Sequence, residues 1–489
     1  MDRGSAGMEA RFSAYVEGLT RVIGHADRAR PLRDYCVGLL LPCQRKSVEP
    51  MAAVTAPERT AAQHQSLLHF VGQGGWSDEA VLAKVREMVL PAIERHGPIE
   101  AWIIDDTSFP KKGVHSVGVA RQYCGQLGKQ ENCQTAVSLS LANAHASLPV
   151  AWRLYLPESW ASDAARRQKA GVPEEIVFQT KPQIALDQIR AACAAGLPRG
   201  VVLMDAGYGN HCDLRTAVTA LELPYIAGIL SNTTVWAPGM GPLPPKPPTP
   251  NRGRPAKRLR RDADNRPVKV KDLAMGLPAQ AWETITWREG TNAPLTSRFA
   301  RLRVRIARRD RERSEPWPEE WLLMEWPEGE KEPAKYWLST LPQDIGFARL
   351  VDLTKLPERT FIVSDKRSRR RIERDYRELK QEVGLGHFEG RGWRGFHHHA
   401  TLSIAAYGFL ICEREAIPPS GMLAAALVPS PRLPQDRRPR GVPAPDSAPR
   451  PELDRHSAPK TGNRHRPAPV AMSMLREEIT PKCAKLMTQ

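Results

Sequence analysis

The chain has 489 residues, enough for two or three domains with buried cores. It carries 71 Lys and Arg against 54 Asp and Glu, a net charge of +17 with an isoelectric point near 9.7, so a polyanion is its simplest partner. The 8 cysteines are scattered without a C-x-x-C pair, which argues against a zinc site and for free thiols, and no apolar run approaches the roughly 20 residues of a membrane span.

Helices are expected first. Phe12, Tyr15, Val16, Leu19 and Val22 recur at helical spacing, as do Val81, Leu82, Val85, Met88 and Val89 behind a capping Ser77-Asp78-Glu79. This all-helical stretch, residues 1–98, reads either as a DNA-binding module or as a cap on the core, and it holds no clean helix-turn-helix. From residue 101 the pattern changes to short apolar strands at 101–106, 133–142 and 150–156. A helix at 184–195, a strand at 200–205, a helix at 213–221 and a strand at 225–229 follow. Three strands and then alternating helix and strand is the element order of a ribonuclease H-like α/β domain, a mixed sheet flanked by helices.

The stretch at 233–362 is expected to be a Pro-rich basic linker followed by an inserted β-rich subdomain. In it Ala300, Leu302, Val304 and Ile306 alternate with Arg301, Arg303 and Arg305, which predicts a strand with one apolar face and one guanidinium face laid along a DNA backbone. Arg252-Gly253-Arg254-Pro255 has the form of a short minor-groove-binding segment. Core helices are expected again over 363–427, behind a first core part at 99–232. The final 428–489 mixes Pro, Arg, Ala and Asp without periodicity and reads as a disordered basic tail.

Three acids stand out in this frame. Ile103-Ile104-Asp105-Asp106-Thr107-Ser108 and Val201-Val202-Leu203-Met204-Asp205 are apolar strands ending in carboxylate, and Glu373 lies on a strongly basic helix. Arg369, Glu373, Arg377 and Lys380 share one helical stripe, with Ile372, Tyr376, Leu379 and Val383 on the neighbouring apolar one. Hard divalent cations take carboxylate oxygens, and a metal pair can activate water while holding a leaving phosphate oxygen. Asp105 and Asp106 point to opposite faces of their strand, so only one of them can serve such a site. The run His397-His398-His399 belongs to a packed helix, on which consecutive side chains diverge too far to share one metal.

In this order and spacing the chain resembles the DDE insertion-sequence transposases with a ribonuclease H-like catalytic domain, in the group that carries a Tyr-Arg-Glu-Lys signature. The resemblance spans roughly residues 100–415 and rests on Asp106-Thr107-Ser108, on Asp205 after Val-Val, and on Arg-Ile-Glu at Glu373 with Arg369 before it and Lys380 after it. It favours Asp106 over Asp105. It implies that Asp106, Asp205 and Glu373 hold two Mg²⁺ ions, with Mn²⁺ able to substitute, and that Arg369 and Lys380 grip phosphates. It also implies a cut-and-paste reaction on double-stranded DNA, at element ends and target, with a dimer in the synaptic complex. A cytoplasmic, nucleoid-associated protein is expected. The signature's Tyr position is occupied by Lys366, and Trp337, in Tyr336-Trp337-Leu338-Ser339-Thr340-Leu341-Pro342, sits in a shortened form of a stretch that stabilises a flipped base in the group. Rival readings are a nuclease of the same fold without strand transfer, a non-catalytic DNA-binding regulator or decayed transposase, and a two-carboxylate glycosidase. The last is disfavoured by the charge and by 12 Trp and 9 Tyr that do not cluster near the acids.

Overall fold

The structure is a computed structural model that describes residues 3–43, 45–246, 257–288, 295–358, 379 and 382–416. Arg252, Arg254, Arg369, Glu373, Lys380 and the expected tail at 428–489 lie outside the described residues.

The helical periodicity at the start of the chain becomes five helices: α1 (Arg3–Thr20), α2 (Ala29–Leu40), α3 (Val48–Thr55), α4 (Thr60–Gly72) and α5 (Asp78–Glu94). Ser77 caps α5 by accepting from the Ala80 amide at 3.1 Å, which satisfies one of the orphan N–H groups of the first turn. The apolar stripes of α1 and α5 meet each other and a third helix. They close around the last helix of the described chain, α13 (Trp393–Ala416), which is buried along almost its whole length. Arg11 grips Glu413 with two bonds of 2.7 Å, and Tyr15 donates to the Ala405 carbonyl at 2.9 Å. Phe12 meets Phe409 edge-on with centroids 5.1 Å apart. These contacts make the region a cap packed on the core.

The sheet begins with β1 (Ala101–Pro110), β2 (Ala120–Cys124), β3 (Lys129–Ala142) and β4 (Ser147–Leu154). After the short helices α6 (Glu158–Ala161) and α7 (Ala164–Ala170) come α8 (Lys181–Ala194), β5 (Val201–Met204), α9 (Ala206–Gly209), α10 (Cys212–Ala220) and β6 (Tyr225–Ile229). β1 pairs antiparallel with β3 and parallel with β5, β5 pairs parallel with β6, and β4 adds to β3. The spatial order β4-β3-β1-β5-β6 is the mixed, ribonuclease H-like sheet that the element order predicts. Two details differ from expectation. β1 runs on to Pro110, and β2 is an extra strand that forms a hairpin with the start of β3. Lys129, Gln130, Glu131 and Asn132 offer no apolar face, so nothing in the residue pattern marks that hairpin.

The expected inserted subdomain is instead a continuation of the same sheet. β7 (Thr234–Trp236), β8 (Val268–Lys269), α11 (Val270–Met275), β9 (Glu283–Arg288), β10 (Leu295–Ile306), β11 (Glu319–Pro327), β12 (Lys335–Ser339) and α12 (Phe347–Thr354) follow in the chain. β12 lies antiparallel against β6, and β11 and β10 follow it outward. The physical reason lies in β6, whose five residues are all buried. A strand buried on both faces needs a ladder on both edges, or its backbone groups go unpaired out of reach of water.

The expected guanidinium ladder is corrected as well. Phe299, Ala300, Val304 and Ile306 are buried, Leu302 is half-buried, and the three arginines are not laid open to solvent. Arg301 donates to the Ile345 carbonyl at 2.7 Å and stacks on Trp321 and Phe347. Arg303 donates to the Glu319 carbonyl at 2.6 Å and also lies over Trp321. Arg305 reaches the Trp317 carbonyl at 2.8 Å and pairs with the Glu319 carboxylate at 3.2 Å. Aromatic rings and carbonyls of this chain cover the face that an anion was expected to cover. Replacing all three by Gln should therefore cost on the order of 2–4 kcal/mol of stability, read by denaturant unfolding. A face that matters only to DNA would leave the unfolding midpoint unchanged.

Trp337 is buried too, in a box with Trp287 and Phe299 around the ammonium of Lys355, which pairs with Glu325 at 2.6 Å. Both charged side chains are almost fully buried, at 1% and 3% exposure, so the pair pins the end of α12 to β11 and neither partner can be removed cheaply. Lys355→Met should lose about 3–5 kcal/mol in chemical denaturation, while adding Glu325→Leu should recover most of the loss.

Candidate active site at the ends of the central strands

Parallel pairing of β1 with β5 carries both chains toward the same edge of the sheet. The register aligns Ile104 with Met204, so the acids that follow leave the ladder side by side. The pleat separates the two neighbouring aspartates. The Asp105 carboxylate accepts from the Asp106 amide at 2.7 Å, folded back on its own backbone. The Asp106 carboxylate instead forms an ion pair with Lys181, and its charge is felt by Asp205. Asp106 thus pairs with Lys181, and its charge acts on Asp205.

Asp205 serves a second purpose that its sequence neighbourhood does not announce. It is the N-cap of α9, accepting from the Tyr208 amide at 3.2 Å. The turn is held against β6 by two glycines. A Cβ on Gly209 would stand 2.0 Å from the Gly228 carbonyl oxygen, and one on Gly228 would stand 2.9 Å from the Ala206 nitrogen. No side chain fits between these backbones, and that close approach sets where the Asp205 carboxylate emerges.

The surroundings raise the pKa of Asp205. Burial of the carboxyl is the first cause, and the like charge of Asp106 adds to it, against the Tyr208 amide and the Lys181 charge. The residue as a whole still keeps a face to solvent, as a concave site allows. Lys181 opens α8, where a capping box ties Thr180 to Gln183, and its ammonium lies 5.9 Å from the Tyr155 ring. Tyr155 in turn contacts Phe178 with centroids 6.5 Å apart, and Phe178 is 39% exposed. Sequence reasoning missed Lys181. It is 75 residues from Asp106 and carries no motif, and only its place at a capped helix start could have drawn attention to it.

Two neighbouring carboxylates suit a hard divalent ion, which would have to displace the Lys181 ammonium from Asp106. Among the described residues no group of three or more His, Cys, Asp or Glu converges on one point. The three consecutive histidines take no part. His397 accepts from the Leu154 amide at 3.2 Å, His398 lies 3.0 Å from the Val71 and Trp76 carbonyls, and His399 lies 2.8 Å from Tyr35 and from the Gly384 carbonyl. Burial pushes all three below the usual imidazole range, His398 and His399 to about 4.

A family model described as DDE superfamily endonuclease matches residues 18–294, more than half of the chain. The chain belongs to that family. The match covers both Asp106 and Asp205, together with the N-terminal helices from the last turn of α1 onward, and it ends before Glu373. The chain is also similar to the "Probable transposase for insertion sequence element IS701" of Microchaete diplosiphon, at 29% identity over 197 residues. That similarity covers 40% of this chain and 47% of the relative, so less than half of the relative's length is matched. Among the described residues of this DDE superfamily member, no helix is long and apolar enough to cross a membrane.

The raised Asp205 has a consequence for stability. Its folded pKa lies above its unfolded value, so the folded state binds that proton more tightly, and stability is lost as pH rises through the folded pKa. Asp205→Asn keeps the cap acceptor and removes the charge. In chelator, the variant should melt above the parent at neutral pH, with the gap closing as pH falls through the raised folded pKa toward the ordinary carboxylate value of about 4. Melting curves from pH 4 to 8 read the difference, and a gap that is constant with pH would show that the Asp205 charge is fully relieved in the fold.

Proposed function

We propose that this chain is a cut-and-paste DNA transposase of an insertion sequence, which cleaves DNA at element ends and transfers the freed strand to a target. The observation that carries this reading is the meeting of Asp106 and Asp205 just past the point where the parallel β1–β5 ladder stops, in a DDE superfamily member. The relative described as a probable transposase and the charge of +17 support it.

The donor set is carboxylate, two acids whose charges act on each other, so the residues fit a divalent metal site, with Lys181 holding the Asp106 carboxylate in the metal-free protein. Asp106, Asp205 and Glu373 would hold two Mg²⁺, or Mn²⁺ in their place. When bound, the metals supply a Lewis-acid clamp on the attacking and leaving oxygens of an in-line displacement at phosphorus. Around them the chain's own residues hold and orient. The cap on α9 fixes Asp205, the β1 ladder fixes Asp106, and Arg369 and Lys380 grip phosphates beside the scissile bond. Arg252 and Arg254 would follow the DNA minor groove. Double-stranded DNA is the partner, two copies of the chain meet when two ends are synapsed, and the setting is the cytoplasm at the nucleoid.

A DNA-binding regulator without catalysis is the weaker reading. Crowding Asp106 against Asp205 raises Asp205 and repels phosphate, a cost that a pure binder has no reason to bear. A nuclease without strand transfer shares the site and differs in outcome. With a pre-cleaved end and a target plasmid, joined product is expected, and cleavage without joining would favour the nuclease. Changing Asp106, Asp205 or Glu373 to Ala should each lower Mg²⁺-dependent cleavage more than about a hundredfold, with DNA binding retained in a mobility-shift assay. Full cleavage by any of the three variants would remove that residue from the site.

A further inference from the structure

Lys181 is a built part of the acid site rather than a passing surface lysine. Its backbone is fixed because Thr180 and Gln183 cap α8 reciprocally, with the Thr180 amide donating to Gln183 at 2.8 Å. α8 is itself seated on the sheet by buried Ile184, Ala185 and Ile189, and by Gln188 donating to the Val137 carbonyl at 3.0 Å. From this anchor the ammonium reaches the Asp106 carboxylate, with the two side chains 29% and 26% exposed, and its charge also acts on Asp205. Three charges thus share one crease, two negative and one positive.

Resting on the metal-site reading above, we infer that Lys181 is a resident counter-ion of the acid pair. It holds Asp106 and Asp205 together in the metal-free protein and competes with the divalent cation for the Asp106 oxygens. Without a cation, two carboxylates on adjacent strands repel each other, and the pair would splay or take up protons. One ammonium offsets part of that repulsion. A divalent ion offsets more, but it needs the carboxylate lone pairs that the ammonium occupies, and two like-charged ions cannot lie side by side on them without cost. Lysine suits the role because its charge is a point on a flexible four-carbon stem, able to leave without any backbone movement. The Tyr155 ring face lies 5.9 Å from the ammonium. Lys181 is a positioning residue in this scheme, acting on the metal through Asp106.

The test uses the full chain without DNA and reads Mn²⁺ binding by calorimetry and melting in chelator. Lys181→Met keeps the apolar stem and removes the charge, so Mn²⁺ should bind about tenfold tighter, and metal-free melting should fall. Lys181→Gln is the second neutral variant and should shift both in the same direction. Lys181→Arg keeps the charge and can grip a carboxylate with two bonds, so it should restore the metal-free melting and weaken Mn²⁺ binding. In an Asp106→Asn background the melting loss from Lys181→Met should vanish, because the partner charge is gone. Unchanged or weaker Mn²⁺ binding in both neutral variants would overturn the inference, as would a melting loss that persists beside Asp106→Asn. The metal-site reading fails separately: Asp106→Asn and Asp205→Asn would then bind Mn²⁺ as the parent does, and the inference about Lys181 would fall with it.

Discussion

Parallel pairing between β1 and β5 is the constraint on which the site depends. Antiparallel neighbours would send the two strand ends to opposite edges of the sheet and part Asp106 from Asp205 by the length of a strand. In parallel register both ends leave on the same side, with Ile104 level with Met204. Such pairing needs a crossover, and the chain provides it through β3, β4 and the buried face of α8, which returns over the sheet. The same crossover delivers Lys181 to the acids, so the cation and the carboxylates are brought together by one feature of the topology.

Charge is spent in two different ways in this protein. The total of +17 invites the view that its arginines are a coat for phosphate. In the outer part of the sheet that view fails, since Arg301, Arg303 and Arg305 are spent on carbonyls and on the faces of Trp321 and Phe347. Arg261 is likewise spent on the buried Asp310, at 2.7 Å. Guanidinium stems cover apolar surface while their heads find internal acceptors, a use of arginine that composition alone cannot separate from a DNA footprint.

The helical cap ties the first helix of the chain to the last described one. Arg11 with Glu413 and Tyr15 with Ala405 join residues about four hundred positions apart. α13 is apolar nearly all round and could not be exposed on any side, so the N-terminal helices are needed to complete the core. This makes the cap part of the fold that carries the acids, whatever else its outer surface contacts.

Local pattern was enough to reveal the α/β class, the helices of the cap, the strands carrying Asp106 and Asp205, and the pairing of acids as the place to look. Each of these follows from side-chain periodicity or from an apolar run ending in carboxylate, signals that reside within a few residues of one another. Tertiary structure decided the rest. It paired Asp106 with Lys181 and set its charge against Asp205, because facing depends on the partner strand. It merged the expected insertion into the main sheet, because β6 needs a neighbour on its free edge. It turned the β10 arginines inward and brought Lys181 to Asp106, because contacts between residues distant in the chain leave no periodic trace in it.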